Sequence, residues 1–387
     1  MFDALRKSWR EGRAAAQGMA SFFALPPEAR RIAFYAESAA DWAHLGDIVS
    51  ALRARGASPA LLTSSLEDPV LSDPAGNAFF IGSGASRQAL FRAIDSPVFA
   101  MTLPDLETFY LKRSSKPVHY VYVFHSIASM HRVYREHAFD AYDTVLCVGP
   151  HHEKELRRAE ELYGAKKKRL VPHGYARLDR LVRELEGRTP PPPLPGGALR
   201  VLVAPTWGES SLLAYEPEKL IRSLLGAGHH VTLRLHPMTK RHEPALAGRL
   251  LGTFGATGRF VVDPVTEATQ SLLDADIMVS DWSGSILEYA FARLRPALSI
   301  ATPPKTHNPN WADFGLPCLE EDIRGKIGAL LPVDDLDRAG EAVRALAADA
   351  PRYAASLRAL REETVYNIGR SAEAAADEIL RILSGKA

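Results

Sequence analysis

Cysteine is nearly absent from this chain of 387 residues, which has only Cys147 and Cys318. Two cysteines so far apart lack the spacing of a metal site and cannot form a disulfide framework, so a reducing cytosolic compartment is expected. A net charge is lacking as well, because 47 basic residues face 46 acidic ones and leave a formal charge of +1. That balance argues against a nucleic-acid-binding protein, which would carry a basic excess.

Long apolar runs and several well-known motifs are also missing. No stretch is long enough to cross a bilayer, and the first residues carry charges where an export signal would need an apolar core. The chain has no GxGxxG after its first predicted strand, no GxxxxGKS/T loop, no HExxH and no GxSxG. No metal site is predicted, and we expect a soluble or peripheral protein.

Apolar segments of strand length alternate with amphipathic helical segments along the chain, which is typical of a parallel sheet covered by helices on both faces. A proline-rich run interrupts the alternation, and the pattern restarts beyond it. We therefore predict an α/β protein with two Rossmann-like domains that face each other across a cleft. The predicted parts are an N-terminal domain at 1–188, a linker at 189–198, a C-terminal domain at 199–365 and a helix at 366–387 that packs back on the first domain.

The strongest candidate site is the segment SDWSGSILE at residues 280–288. A helix predicted over residues 266–273 leads to a buried strand that ends at this segment, and a new helix starts near Ile286. In an open parallel sheet ligands bind where strands end, and the N–H groups of a helix's first turn favour a phosphate. The segment therefore predicts a diphosphate site, with an ordinary helix cap as the alternative. The candidate donor-binding residues are Ser280, Asp281, Ser283, Gly284, Ser285 and Glu288.

Two other predicted strand ends in the same half carry polar residues suited to a diphosphate. Arg234 and His236 stand in LRLHP, where Pro237 keeps His236 extended, and a cation with an imidazole can stabilise a diphosphate leaving group. The alternative is a histidine that caps the next helix. Thr206 and the weaker candidate Trp207 follow the preceding strand, in a segment that also fits an ordinary polar loop.

The N-terminal half offers a candidate general base. His125 ends its clearest strand, VHYVYVF, where an imidazole can take a proton from an acceptor hydroxyl; the alternative is a histidine satisfied within the core. Arg177 and Asp179, in GYARLD, are weaker candidates, for which a structural turn is the simpler interpretation.

Taken together, these motifs resemble one family. PTW at 205–207, LRLHP at 233–237 and SDWSGSILEYA at 280–290 follow GYARLD in this order, as in the CDP-glycerol glycerophosphotransferases of the teichoic-acid polymerase type. The resemblance implies a GT-B fold, a CDP-linked donor held by the C-terminal domain, no obligatory metal or other cofactor, and catalytic roles for His125 and His236. Where that family has W-H-G, this chain reads Phe-His-Ser at 124–126, which is a departure on the acceptor side.

The function implied by the resemblance is transfer of glycerol phosphate, or a related polyol phosphate, from a CDP-activated donor to a hydroxyl of a cell-envelope polymer or glycolipid. Two alternatives stay open: a nucleotide-sugar glycosyltransferase or epimerase relative, and a non-catalytic GT-B binding module. The helix predicted over residues 1–24 is basic and amphipathic, so it either lies on an anionic membrane surface or caps the N-terminal domain. A cytoplasmic protein is expected, with peripheral contact at the inner face of the membrane and no nucleic-acid partner.

Overall fold

A computed structural model describes residues 2–263 and 269–385. It divides into two compact units: unit 1 comprises Met1–His125, Tyr134–Arg177 and Val365–Ala387, and unit 2 comprises Ser126–Val133 and Leu178–Thr364. This boundary differs from the predicted one at the proline-rich run. The buried residues Leu178 and Leu181 already belong to unit 2, so the chain changes unit before it reaches the prolines.

The elements follow the predicted alternation. The strands are β1 (Ile32–Ala36), β2 (Ala60–Thr63), β3 (Ala78–Phe80), β4 (Val98–Met101), β5 (His119–Val123), β6 (Thr144–Cys147), β7 (Arg169–Pro172), β8 (Arg200–Val203), β9 (His230–Leu233), β10 (Phe260–Val262), β11 (Ile277–Ser280), β12 (Ala297–Ala301) and β13 (Gly328–Pro332). The helices are α1 (Phe2–Ala24), α2 (Trp42–Ala54), α3 (Gly84–Ala93), α4 (Pro150–Tyr163), α5 (Ala176–Glu186), α6 (Pro217–Gly226), α7 (Pro237–His242), α8 (Pro244–Phe254), α9 (Gln270–Asp274), α10 (Ser285–Arg293), α11 (Leu319–Ile323), α12 (Ala339–Ala348), α13 (Ala350–Thr364) and α14 (Ser371–Leu383). Of the helix predicted over 266–273, residues 266–268 lie outside the described part of the chain.

Unit 1 is built on a parallel sheet with the strand order β3-β2-β1-β4-β5-β6-β7. Its central strands are continuous apolar runs that are fully buried, as expected for a parallel sheet. The C-terminal helix α14 belongs to this unit and packs on α2, where Ala375, Ala376 and Ile379 join a core with Leu45 and Ile48. Helix α1 packs on β3, so close at Gly18 that an added Cβ would come within 1.9 Å of the Phe80 carbonyl oxygen.

Unit 2 is built on a second parallel sheet with the order β10-β9-β8-β11-β12-β13. The chain winds outward from β8 in one direction and from β11 in the other, so the junction of these two strands is the switch point of a doubly wound fold. The core under the sheet includes Val201, Leu220, Val231, Ile277 and Leu298. The predicted fold class, α/β with two Rossmann-like domains, is confirmed. Among the described residues, no helix is both long and apolar enough to span a bilayer.

Candidate functional site

In unit 2 the predicted donor-site residues follow three neighbouring strands. Thr206 and Trp207 come after β8, Arg234 and His236 after β9, and the 280–288 segment starts at the last residue of β11. Because all three strands are parallel and adjacent, their carboxyl ends lie at one edge of the sheet. The structure therefore brings the three sequence motifs together at the switch point, where doubly wound sheets bind their ligands.

Asp281 holds this edge together. Its Oδ1 accepts the backbone N–H of Thr206 at 2.7 Å, its Oδ2 accepts the N–H of Leu212 at 2.8 Å, and the residue is fully buried. Burial raises its pKa to about 6, against the lowering effect of these two N–H donors. The prediction gave Asp281 a direct contact with the donor. Because both oxygens are used by the loop after β8, the carboxylate instead positions that loop.

The side chain of Ser280 also makes a hydrogen bond inside the protein. Its hydroxyl donates to the carbonyl of Ala204 at 2.7 Å, and the residue is fully buried. This bond ties the end of β11 to the end of β8. The predicted donor contact of Ser280 is not supported, because the side chain points into the sheet junction.

The turn after Asp281 has the form that an anion site needs. Helix α10 begins at Ser285, and Gly284 occupies its N-cap position with a φ of −59°. The hydroxyls of Ser283 and Ser285 lie 2.9 Å apart, directly at the positive end of the helix dipole. A Cβ at Gly284 would lie 2.6 Å from the Oγ of Ser126, so a larger residue there would have to displace that hydroxyl. Glu288 follows in the first turn of the helix and is 7% exposed.

His236 caps helix α7, which is the alternative that the sequence left open. Its φ and ψ of −61° and 145° are extended, as the following proline predicts, and its Nδ1 accepts the N–H of Met238 at 3.1 Å. A neutral ring with Nδ1 as acceptor carries its proton on Nε2, so the cap orients a donor nitrogen. Arg234, two residues earlier, is 5% exposed and lies within the protein.

Trp207 stands among basic side chains. Its ring centre lies 6.1 Å from that of His236, 6.2 Å from His242 and 5.5 Å from His307. Lys305 places its ammonium 4.6 Å from the same ring centre, a cation–π distance. The indole is half-buried and lines this site.

Lys305 was not found from the sequence. Its Nζ donates to the Oγ1 of Thr206 at 3.3 Å, and burial lowers its pKa to about 8 although Asp281 acts in the opposite direction. It follows β12 in a segment without a recognised motif, and its only signal was a lysine after a pair of prolines near a strand end. The site therefore holds an ammonium next to the loop that Asp281 positions.

In unit 1, His125 follows β5 and is half-buried between two tyrosines. The hydroxyl of Tyr122 lies 3.5 Å from its Nδ1 and that of Tyr134 lies 3.3 Å from its Nε2. Burial lowers the pKa of His125, against the raising effect of the Asp41 carboxylate, so the imidazole is neutral at neutral pH. Tyr175 donates its hydroxyl to the carbonyl of His125 at 3.1 Å and fixes the backbone. A neutral, oriented imidazole has the properties of a general base.

The weaker candidates Arg177 and Asp179 lie in the first turn of α5 and are 8% and 2% exposed. Arg177 belongs to unit 1 and Asp179 to unit 2, and their role in donor binding stays a prediction. The segment that was interpreted as a turn is thus a helix start, preceded by Gly174 with a φ of +98°. Within the described ranges 2–263 and 269–385, no cluster of three or more histidine, cysteine or acidic side chains could hold a metal ion.

Unit 1 has a pocket of about 550 Å³ at the carboxyl ends of β1, β2 and β3. Serine hydroxyls and carboxylates dominate its lining, which includes Glu11, Glu37, Glu67, Ser64, Ser65, Ser83 and Ser86. Such a lining suits hydroxyl groups rather than phosphates, because the carboxylates accept hydrogen bonds and repel anions.

Residues 116–308 match the family model described as CDP-Glycerol:Poly(glycerophosphate) glycerophosphotransferase. Over these residues the chain belongs to that family. The match confirms the resemblance found in the motifs, and it includes His125 and the whole donor-site set of unit 2. No curated protein sequence matches the chain.

Solved structures share the fold over all or most of the chain. The wall teichoic acid polymerase TagF has a TM-score of 0.62 at 14% identity, with 100% of this chain and 99% of that chain covered. A UDP-N-acetylglucosamine 2-epimerase homologue from Listeria monocytogenes has a TM-score of 0.59 at 13% identity, with 92% and 96% covered. The UDP-GlcNAc 2-epimerase of Methanocaldococcus jannaschii has a TM-score of 0.55 at 11% identity, with 92% and 99% covered. The predicted GT-B type of fold is confirmed.

Proposed function

We propose that this protein transfers glycerol phosphate from CDP-glycerol to a hydroxyl group of a cell-envelope polymer or glycolipid. The observation that carries the proposal is the convergence of three family motifs at the switch point of unit 2, inside the residues that the family model matches. TagF, the polymerase that shares the fold, has been solved with CDPG, which agrees with a CDP-linked donor. The base, the transferred group and the acceptor remain part of the proposal.

The donor's diphosphate would lie at the N-terminus of α10. The N–H groups of the first turn, the hydroxyls of Ser283 and Ser285, the Nε2 of His236 and the ammonium of Lys305 are the donors at this edge. They stabilise negative charge as it moves to the leaving group, a role that preorganised donors fill without a metal ion in the step proposed here. Electrostatic stabilisation of this kind usually contributes more than any other effect to the catalysis of phosphoryl transfer.

The reaction needs one proton transfer. The acceptor hydroxyl oxygen attacks the phosphorus that bears the glycerol, the bond from that phosphorus to the CMP oxygen breaks, and CMP leaves with the electron pair. His125 takes the hydroxyl proton, because its lowered pKa keeps the ring unprotonated at neutral pH. The acceptor's remaining hydroxyls would hydrogen-bond to the serine- and glutamate-lined pocket of unit 1.

Helix α1 is proposed to bring the protein to the inner face of the cytoplasmic membrane. Trp9 is 71% exposed, and Arg10 and Arg13 are exposed beside it, while Ala15 and Phe22 are buried against unit 1. In this proposal the helix has both roles that the sequence left open: Ala15 and Phe22 pack in unit 1, and Trp9, Arg10 and Arg13 would contact an anionic surface.

A ligand screen tests this function. Thermal unfolding would be followed with CDP-glycerol, CDP-ribitol, CMP-sugars and UDP-sugars, and the ligand with the largest stabilisation would be incubated with a lipid-linked polyol phosphate acceptor. We expect CDP-glycerol to stabilise most and to yield CMP with an extended acceptor. Stabilisation by a UDP-sugar alone would identify a glycosyltransferase or epimerase relative, and no stabilisation by any compound would identify a non-catalytic module.

A further inference from the structure

Arg324 is a buried cation that the donor-site motifs do not contain. It follows α11 in unit 2 and is only 8% exposed. Its guanidinium carbon lies 3.7 Å from the ring centre of Trp282, so the two groups are stacked. It also lies outside the residues that the family model matches, which end at residue 308.

Two donor nitrogens of this guanidinium are not satisfied by the protein. Within the part of the chain that the structure describes, the buried Nε and Nη1 of Arg324 have no hydrogen-bond partner. Buried polar groups in folded proteins are almost always hydrogen-bonded, and an unfilled donor on a charged group is especially unfavourable. Arg324 therefore needs an explanation beyond packing.

The carboxylates that face Arg324 are engaged elsewhere. Asp281 accepts the N–H groups of Thr206 and Leu212, as described above. Glu320 accepts the N–H of Ser129 at 3.1 Å, and Glu321 accepts the Nη1 of Arg132 at 2.5 Å. These groups stabilise the positive charge of Arg324 from a distance, and none of them accepts a hydrogen bond from its Nε or Nη1.

The position of Arg324 connects it to the donor site. Its stacking partner Trp282 stands between Asp281 and the Ser283–Ser285 turn, and the Trp282 indole N–H donates to the carbonyl of Thr302 at 2.9 Å. The indole is therefore fixed, and it holds the guanidinium beside the segment at the N-terminus of α10. A planar, permanently charged group with free donors in a rigid orientation is the side chain best suited to bind phosphate.

We propose that Arg324 binds the diphosphate of the nucleotide donor, oriented by Trp282. This inference rests on the proposed function for the identity of the ligand, a nucleoside diphosphate ester. It adds a guanidinium to the helix N–H groups, serine hydroxyls, imidazole and ammonium proposed above, and it explains why an arginine with unfilled donors is kept inside unit 2.

Calorimetric titration of the full-length protein tests this role, with CDP-glycerol and inorganic pyrophosphate as the two probes. We expect Arg324→Met to weaken the binding of both by about tenfold or more, because charged hydrogen bonds to phosphate are lost. Arg324→Lys should recover part of the loss, since it keeps the charge without the planar fork. Arg352→Gln removes an exposed positive charge from the same unit and serves as the matched control, with affinity within about twofold of wild type.

The melting temperature of the ligand-free variants separates ligand binding from a structural role. Arg324→Met should leave it unchanged or raise it, because a buried guanidinium without partners no longer has to be desolvated. A lower melting temperature with unchanged affinity for both probes would overturn the proposal. Pyrophosphate binding that depends on Arg324, without CDP-glycerol binding, would uphold Arg324 and contradict the proposed function. Binding of neither probe by the wild-type protein would overturn both.

Discussion

Strands β1 and β4 of unit 1 occupy the same positions in their sheet as β8 and β11 of unit 2. An aspartate links the two strand ends in each unit. Asp41 accepts the hydroxyl of Thr102 at 2.7 Å in unit 1, and Asp281 accepts the N–H of Thr206 in unit 2. The surroundings differ: unit 1 offers serines, glutamates and a neutral histidine, whereas unit 2 offers Lys305, Arg324 and a helix N-terminus.

In the function proposed above, one strand order serves two different ligands. The hydroxyl groups of the acceptor substrate need side-chain oxygens that accept hydrogen bonds and a base that takes a proton, and unit 1 supplies both. A diphosphate needs cations and N–H donors, which unit 2 supplies. Because the scaffold is shared, the specificity lies in the loops that follow the strands. Substitutions in unit 1 should therefore affect the chemical step, and substitutions in unit 2 should affect donor binding.

The largest effect on turnover is expected from substitution of the two candidate catalytic histidines. His125→Ala removes the general base, and turnover should fall by roughly 10²–10⁴-fold while the Kd for CDP-glycerol stays near the wild-type value. His236→Ala should abolish most turnover as well, but with weaker donor binding, because its Nε2 faces the diphosphate in our proposal. Initial rates of CMP release and calorimetric affinities would be measured together.

His137→Asn is the control for these variants, since His137 is exposed in unit 1 and asparagine tolerates its φ of +63°. Near-wild-type turnover in purified His125→Ala would show that His125 is not the general base. An equal loss of donor affinity in His125→Ala and His236→Ala would contradict the proposal that unit 2 binds the donor while unit 1 supplies the base.

A large effect on stability is expected at Asp281. Asp281→Asn places an amide NH2 group against a backbone N–H, so one buried hydrogen bond to a carboxylate is lost and unit 2 should be destabilised by about 3 kcal/mol. Thermal unfolding near neutral pH would show it as a lowered melting temperature, together with weaker CDP-glycerol binding. Asp337→Asn, at an exposed position of the same unit, should change neither. If Asp281→Asn weakened donor binding without destabilising the protein, the carboxylate would contact the ligand after all.

A smaller, pH-dependent effect is expected at Lys305. Its pKa of about 8 lies below that of an ordinary lysine, so the ammonium is present below pH 8 and is lost as the pH rises through that value. Affinity for CDP-glycerol, whose phosphates do not titrate in this range, should therefore fall severalfold between neutral pH and about pH 9.5. In Lys305→Arg the cation stays charged, and the affinity should become independent of pH. A wild-type affinity that does not change with pH would exclude Lys305 from the phosphate contacts.

The sequence predicted all interior strands of both sheets and missed one edge strand of each. The interior strands were found because buried parallel strands are continuous apolar runs, and the edge strands β3 and β10 were found as well, but the edge strands β7 and β13 were missed. Each of them ends in a proline, Pro172 or Pro332, and proline has no N–H for a sheet hydrogen bond. The donor-site motifs were recognisable because each follows its strand directly. Lys305 and Arg324 were not, since their proximity to Thr206 and Trp282 depends on how later loops fold back over the sheet edge.

The smallest effect, on membrane binding, is expected from substitutions of exposed basic residues in α1. Deleting the helix would remove Phe22 from the packing of unit 1, so point changes in its exposed half are the sharper test. Arg10→Ala and Arg13→Ala should each weaken binding to vesicles with anionic lipids by about 1 kcal/mol, or roughly fivefold, because each basic residue contributes that much near a charged surface. The loss should disappear in high salt, which screens the same attraction. Co-sedimentation with vesicles of defined composition would measure it, with Arg352→Gln as the control. If neither change in α1 affects sedimentation, the helix serves only to cap unit 1, and the acceptor has to reach the enzyme by another route.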